Sequence, residues 1–418
     1  YANKMRSVYQ NFNEEMDVCA LFAEALMNRT PWQLWEVSTG AVKTGADTLE
    51  AISVLETAFS KLEAKGSNEH PGLLHMYIHL MEMSPHPEKA LKAGDALTSL
   101  VPDAGHLQHM ATHIDVLCGH YENVVRRNHN ASIADKKYLK MRGLDTFYTA
   151  YICHNFHFKV YGSIFLGQFK PAIEAAQELQ DLLSPEVIRP SADWLESYYP
   201  MKYHVFVRFG MWDQIKVINP PSDNKLFCYT TAIIHYAKSI AYAATGEIRE
   251  AEVQRDKFVV AKSMVPETRF LFNNSCLDIL GVAGEMLEGE LAYRKQEFEE
   301  AFKHLRNAVR LDDDLPYEEP WGWMQPVRHA LGALLLEQEK IEEAKSVYMA
   351  DLGLDGVLGR PCQNPDNVWS LHGLHECLQR AGSVEEAKFI KQRLDLAIAR
   401  ADRPILASCF CRLTHMNI

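Results

Sequence analysis

A motif that recurs six times restricts this chain most: a turn residue, then a small or β-branched residue five positions later within an amphipathic stretch. It reads Gly119…Val124, Gly167…Ala172, Gly246…Ala251, Gln296…Ala301, Glu339…Ala344 and Gly382…Ala387. The turn residue closes one helix through left-handed backbone. The small residue lets the next helix lie close against the one before. Intervals of 48, 79, 50, 43 and 43 between the small residues suit helix-turn-helix units with extended loops. Helical periodicity runs throughout, and strand signals are nearly absent. Proline-bearing breaks at Ser84–Pro87, Val101–Asp103, Ile188–Pro190, Asn219–Ser222 and Pro361–Pro365 each end one helix and open another. The expected architecture is an all-α solenoid of stacked helix-turn-helix pairs. Residues 1–165 would form a His-rich N-terminal module, and 166–418 would continue the array.

The histidines are unevenly placed. Of 18, eleven lie between His70 and His157. In His70-Pro-Gly-Leu-Leu-His75-Met-Tyr-Ile-His79-Leu-Met-Glu82, Pro71 is a rigid first-turn residue. His75, His79 and Glu82 share one helical face at spacings of four and three. After Pro102, His106, His109 and His113 repeat a one-face pattern, and His154 and His157 form a third stripe. A lone histidine on a helix is most often a surface or hydrogen-bonded core residue. Matched stripes on neighbouring helices favour metal ligation, because neutral imidazole binds Zn, Cu, Fe and Ni well. His70, His86, His120 and His129 fall outside the stripes. Asp17 and Glu24, seven apart on an otherwise apolar N-terminal helix, need a partner and are candidates to complete the ligand shell. Glu82 is a candidate ligand or general base, with Tyr77 and Tyr151 as candidate proton donors.

Trp321, Trp323 and Arg328 sit together at a helix entry. They could wall or clamp a substrate on a concave face. The competing reading is a packed Trp pair with Arg328 held by Glu318 or Glu319. Cys409-Phe-Cys411 is a weak pair in what reads as a disordered tail.

From His70-Pro-Gly through Glu82, and from Pro102 through His106, His109 and His113, the chain resembles tetratricopeptide-repeat proteins of microbes and fungi with a doubled histidine signature. The likeness extends through Asn128, Asp135, Tyr138, His154-Asn155-Phe-His157, Trp321, Pro326-Val-Arg328 and Asn367-Val-Trp369. The stretch Glu290–Asp312 resembles a single repeat, with Ala292, Tyr293, Phe298, Ala301, Ala308 and Leu311 at packing positions. The resemblance implies a fold more than a reaction, and helical sequence upstream of Tyr1. Ala111 stands where the family pattern has proline, which should straighten the His-bearing helix.

Charge and composition narrow the function. With 43 basic against 55 acidic residues, the net charge is −12, and no basic excess exists to displace counterions from nucleic acid. No apolar run approaches the length needed to cross a bilayer. Nine scattered cysteines read as reduced thiols in a cytoplasmic protein. Phosphate-cradling loops, nucleophile elbows and dinucleotide fingerprints are absent from the sequence. The leading expectation is a metal-dependent oxidoreductase, with Cu or Fe favoured and Zn as the alternative, acting on a small molecule. The alternatives are a scaffold holding a peptide on its concave face, a Zn-dependent hydrolase, and a structural metal staple.

Overall fold

The computed structural model describes residues 1–67 and 69–415. The chain is 69% helical, and among the described residues one two-stranded ladder joins Phe270–Leu271 to Asn274–Ser275, so the fold is all-α. Two compact units are present. The first comprises residues 1–143 with 356–365, the second 144–355 with 366–418. The boundary falls earlier than the expected 165, so the helix bearing His154 and His157 belongs to the second unit.

The first unit contains α1 (Ala2–Phe12), α2 (Met16–Met27), α3 (Thr48–Ala64), α4 (Pro71–Glu82), α5 (Leu91–Leu100), α6 (Gly105–His109), α7 (Ala111–Leu117) and α8 (Tyr121–Arg142). Helix α4 is its centre. It starts sharply because Pro71 fills a first-turn position and the His70 Nδ1 accepts the Leu73 N–H at 3.2 Å. Leu73, Leu74, Ile78, Leu80 and Met81 bury apolar surface against Phe22 and Leu26 of α2, Val54 and Leu55 of α3, Leu97 of α5 and Ile114 of α7. The Trp35 indole donates to the Leu80 carbonyl at 2.8 Å and anchors the long loop after α2. Residues 356–365 return to this unit, where Arg360 donates to the Leu117 carbonyl at 2.7 Å.

The stretch 105–117 is interrupted. Met110 N–H still reaches the His106 carbonyl (3.1 Å), but His113 N–H bonds only three residues back, to Met110 (3.2 Å). The Thr112 hydroxyl takes up the His109 carbonyl at 2.7 Å. Ala111 therefore does not straighten this segment. Its methyl instead fits against Gly94, where any side chain on α5 would crowd it.

In the second unit, α9 (Tyr148–Phe165) packs on α10 (Phe169–Leu182). Consecutive pairs follow: 228–244 with 248–263, 276–294 with 298–313, 327–337 with 341–351, and 368–380 with 384–400. From residue 228 onward each pair lies against the next, as a solenoid requires, and α10 connects to 228–244 through the helix Met201–Arg208. All six turn residues of the sequence motif have positive φ, including the non-glycines Gln296 (65°) and Glu339 (56°). Each following Ala or Val is buried.

The C-terminal segment is packed as far as Arg412, contrary to the expected disorder. Asp402 caps α10, accepting the Phe169 and Lys170 N–H groups at 2.6 and 2.8 Å. Arg412 forms a two-pronged pair with Glu376 (2.7 Å each). Contrary to the expectation of nine reduced thiols, Cys409 and Cys411 are joined as a disulfide, while the other seven cysteines are free thiols. No described helix is long and apolar enough to cross a membrane.

Candidate metal centre

Helices α4, α6 and α7 bring five histidines into a closed ring. Going round it, the imidazole centroids are separated by 4.9 Å (His75–His79), 5.3 Å (His79–His113), 4.7 Å (His113–His109), 5.8 Å (His109–His106) and 5.2 Å (His106–His75). The helical spacing explains the ring. His75 and His79 are one turn apart on α4, and the two histidine-bearing stretches are brought together because α4 packs on α7. Gly105 permits the approach at the other end, since a Cβ there would collide with the Asp135 carboxylate on α8.

Hydrogen bonds fix which nitrogens can bind a cation. Glu82, 2% exposed, places one carboxylate oxygen 2.8 Å from His79 Nδ1 and the other 2.5 Å from His113 Nδ1. A carboxylate only accepts, so both Nδ1 atoms carry hydrogen. Asn128 is equally constrained. Its amide nitrogen donates to the Val124 carbonyl (2.8 Å) and the Thr112 hydroxyl (3.2 Å), which turns its oxygen towards His109 Nδ1 at 2.7 Å. In their neutral forms, His79, His109 and His113 therefore keep lone pairs on Nε2.

The Nε2 atoms of His109 and His113 lie 2.7 Å apart, with both rings fully buried. Two facing lone pairs at that distance repel unless a cation lies between or beside them. A proton would serve this pair alone. It would leave His75 Nε2, which is shut from solvent and has no hydrogen-bond partner, without one. A metal ion suits the whole ring, and His75, His79 and His106 offer ligand atoms all within 4.8 Å of one another. Burial, reinforced by the neighbouring His79, pushes His75 down to about 3. Burial and the adjacent histidines hold His106 well below the usual imidazole range. Both rings thus stay neutral, and able to ligate, throughout the physiological range. Carboxylate- or amide-backed histidines are the usual outer support of metal ligands.

The remaining sequence candidates have the following surroundings. Asp17 has a 92% exposed side chain and meets His70 Nε2 at 3.1 Å, so it supports a helix cap instead of a ligand shell. Glu24 is half-buried on α2 and joins no group of converging ligand atoms among the described residues. The Tyr77 hydroxyl is 3.3 Å from Glu56 on α3, and burial together with that carboxylate pushes it up to about 12. It therefore holds its proton facing α3. Tyr151 lies on α9 against Phe147 and Tyr148. His154, also on α9, stacks on Phe272 at 5.7 Å, and His157 places Nε2 2.8 Å from the Met324 sulfur. Trp323 is a core residue packed edge-on to His204 and Tyr236, and Trp321 packs on Tyr317. Arg328 is held by Asp313 (2.8 Å), one helix back, and not by Glu318 or Glu319. Asn128 was missed as a site residue. Its signal was its place on α8 with Val124, Ala131 and Asp135, a polar residue in a buried stripe.

These buried imidazoles make the metal-free protein acid-sensitive. His75 and His157 are pushed to about 3 and His204 to about 4, each by burial, against 6.5 for an exposed imidazole. The unfolded chain therefore binds more protons than the folded one between pH 6.5 and about 3. Stability is complete above 6.5 and is lost as pH falls through that window. We expect the Tm of chelator-treated protein to fall by on the order of 10 °C between pH 7 and pH 4.5. A flat Tm over that interval would contradict the burial.

Compared with known proteins, the chain matches no family model and no curated protein, so the chemistry of this centre must be read from its own atoms.

Proposed function

We propose that this chain is a metal-dependent enzyme, an oxidoreductase in which imidazoles of α4, α6 and α7 hold copper or iron for reaction with a small molecule. One observation carries the reading: the Nε2 atoms of His109 and His113 converge at 2.7 Å while their Nδ1 atoms are committed to Asn128 and Glu82. With Glu82 engaged by two imidazole N–H groups, the first unit presents an all-nitrogen donor set. In a two-histidine, one-carboxylate iron site Glu82 would have to give up those bonds to serve as the carboxylate, which moves the weight towards copper. A closed structural zinc site would use four ligands, commonly with cysteine among them, and the His75–His79–His106 group contains none. His75, His79 and His106 are half-buried and His109 and His113 fully so, which puts the accessible side of the centre at the first three. In this reading the tetratricopeptide-type helical pairs are the scaffold, and the free thiols suit a cytoplasmic protein.

The test is elemental analysis with optical and EPR spectra on protein produced in medium supplemented with copper, iron and zinc. Retained copper or iron is the expected result. Retention of zinc alone would overturn the redox reading in favour of metal-assisted hydrolysis. No retained metal would overturn both.

A further inference from the structure

Five imidazoles are more than one catalytic ion uses. Such an ion takes about three protein ligands and keeps a position for water or substrate, so a fifth imidazole would close it. The ring also divides in two. His75, His79 and His106 are half-buried with ligand atoms within 4.8 Å of one another. His109 and His113 are fully buried, and their Nε2 atoms face each other at 2.7 Å. The outer support divides the same way, and Glu82 joins the halves. One of its oxygens orients His79 of the first set, the other orients His113 of the second. Asn128 orients only His109.

Resting on the metal-centre reading above, the geometry points to two metal ions per chain, one on His75, His79 and His106, the other with His109 and His113 as its donors from this unit. A single carboxylate that orients one ligand of each ion holds the two at a set separation. Two-metal centres commonly space their ions about 3.5–4 Å apart, which suits a small bridging oxygen or nitrogen donor. The ligand class that follows is a small anion or diatomic molecule, bound between the ions and reached from the half-buried triad.

The test titrates the full-length apoprotein with Cu(II), separates unbound ion, and counts bound copper. Wild type is expected to bind two ions. His75→Ala with His106→Ala should bind one, and His109→Ala with His113→Ala should bind one, with circular dichroism confirming the helical fold of each variant. In the doubly loaded wild type, magnetic coupling should leave an EPR spin count well below the copper count. Each one-ion variant should show the full signal of isolated Cu(II). Azide supplies the bridging probe and should produce a charge-transfer band in wild type that neither variant shows. One ion in wild type would overturn the two-ion assignment and leave the metal-centre reading standing. None would overturn both. Two ions whose number is unchanged by either pair of substitutions would place the second ion outside the ring and overturn the assignment.

Discussion

Glu82→Gln lowers the affinity of the centre for its metal roughly ten- to a hundredfold, although it replaces a single oxygen. The reason lies in hydrogen-bond polarity. The carboxylate accepts from His79 Nδ1 at 2.8 Å and from His113 Nδ1 at 2.5 Å. A glutamine can accept from only one of them and turns an NH2 towards the other. That second imidazole must move its proton to Nε2, which covers the lone pair the metal needs. Competition against a chelator of known affinity measures the loss. An optical or EPR spectrum of whatever metal remains should report one fewer nitrogen ligand, which a purely structural defect would not produce. Glu82→Asp keeps two acceptors and should recover part of the affinity. Affinity unchanged in Glu82→Gln would show that the carboxylate does not set the tautomers.

His79→Ala combined with His109→Ala removes stoichiometric metal altogether. These residues come from α4 and α6 and from both halves of the ring, so neither half keeps its full donor set. His109 is fully buried, and its loss also leaves Asn128 Oδ1 without its imidazole partner. An unsatisfied buried amide and a new cavity carry their own cost, on the order of a few kcal/mol. The thermal midpoint should therefore fall even in metal-free protein. Elemental analysis of folded variant, checked by circular dichroism, separates the two effects. Stoichiometric metal surviving in the double variant would place the ion outside the ring.

Periodicity made the histidines legible because a helix turns spacing into direction. His75 and His79 at i and i+4 had to share a face of α4, and the doubled pattern after Pro102 implied a second stripe. The six turn motifs were equally readable, since a left-handed residue followed by a small one specifies a close helix-helix turn whatever surrounds it. What could not be read depended on partners distant in sequence. Glu82 looked like a ligand on α4 alone, and only the approach of α7 shows that both oxygens serve imidazole N–H groups. Asn128 lies 19 residues from His109 and orients it across the α6–α8 contact. The break at Met110 depends on a local choice between i−4 and i−3 hydrogen bonds, which small residues such as Ala111 do not decide. Asp17 was misplaced because a carboxylate beside apolar neighbours can sit at the rim of a helix face, and its partner His70 was visible only in three dimensions. Arg328 found Asp313 because the preceding helix, ending at that residue, brings it alongside.

The convergence of imidazole lone pairs is tested most directly by an anomalous difference map from crystals of the purified protein, recorded at the absorption edge of the metal it retains. The account predicts a peak at bonding distance, about 2.0–2.1 Å, from the Nε2 atoms of His109 and His113, with these two moved apart to admit it, and Glu82 still bridging the Nδ1 atoms of His79 and His113. A peak ligated by Glu82 in place of the imidazoles, or a ring with no anomalous density in metal-replete protein, would contradict it.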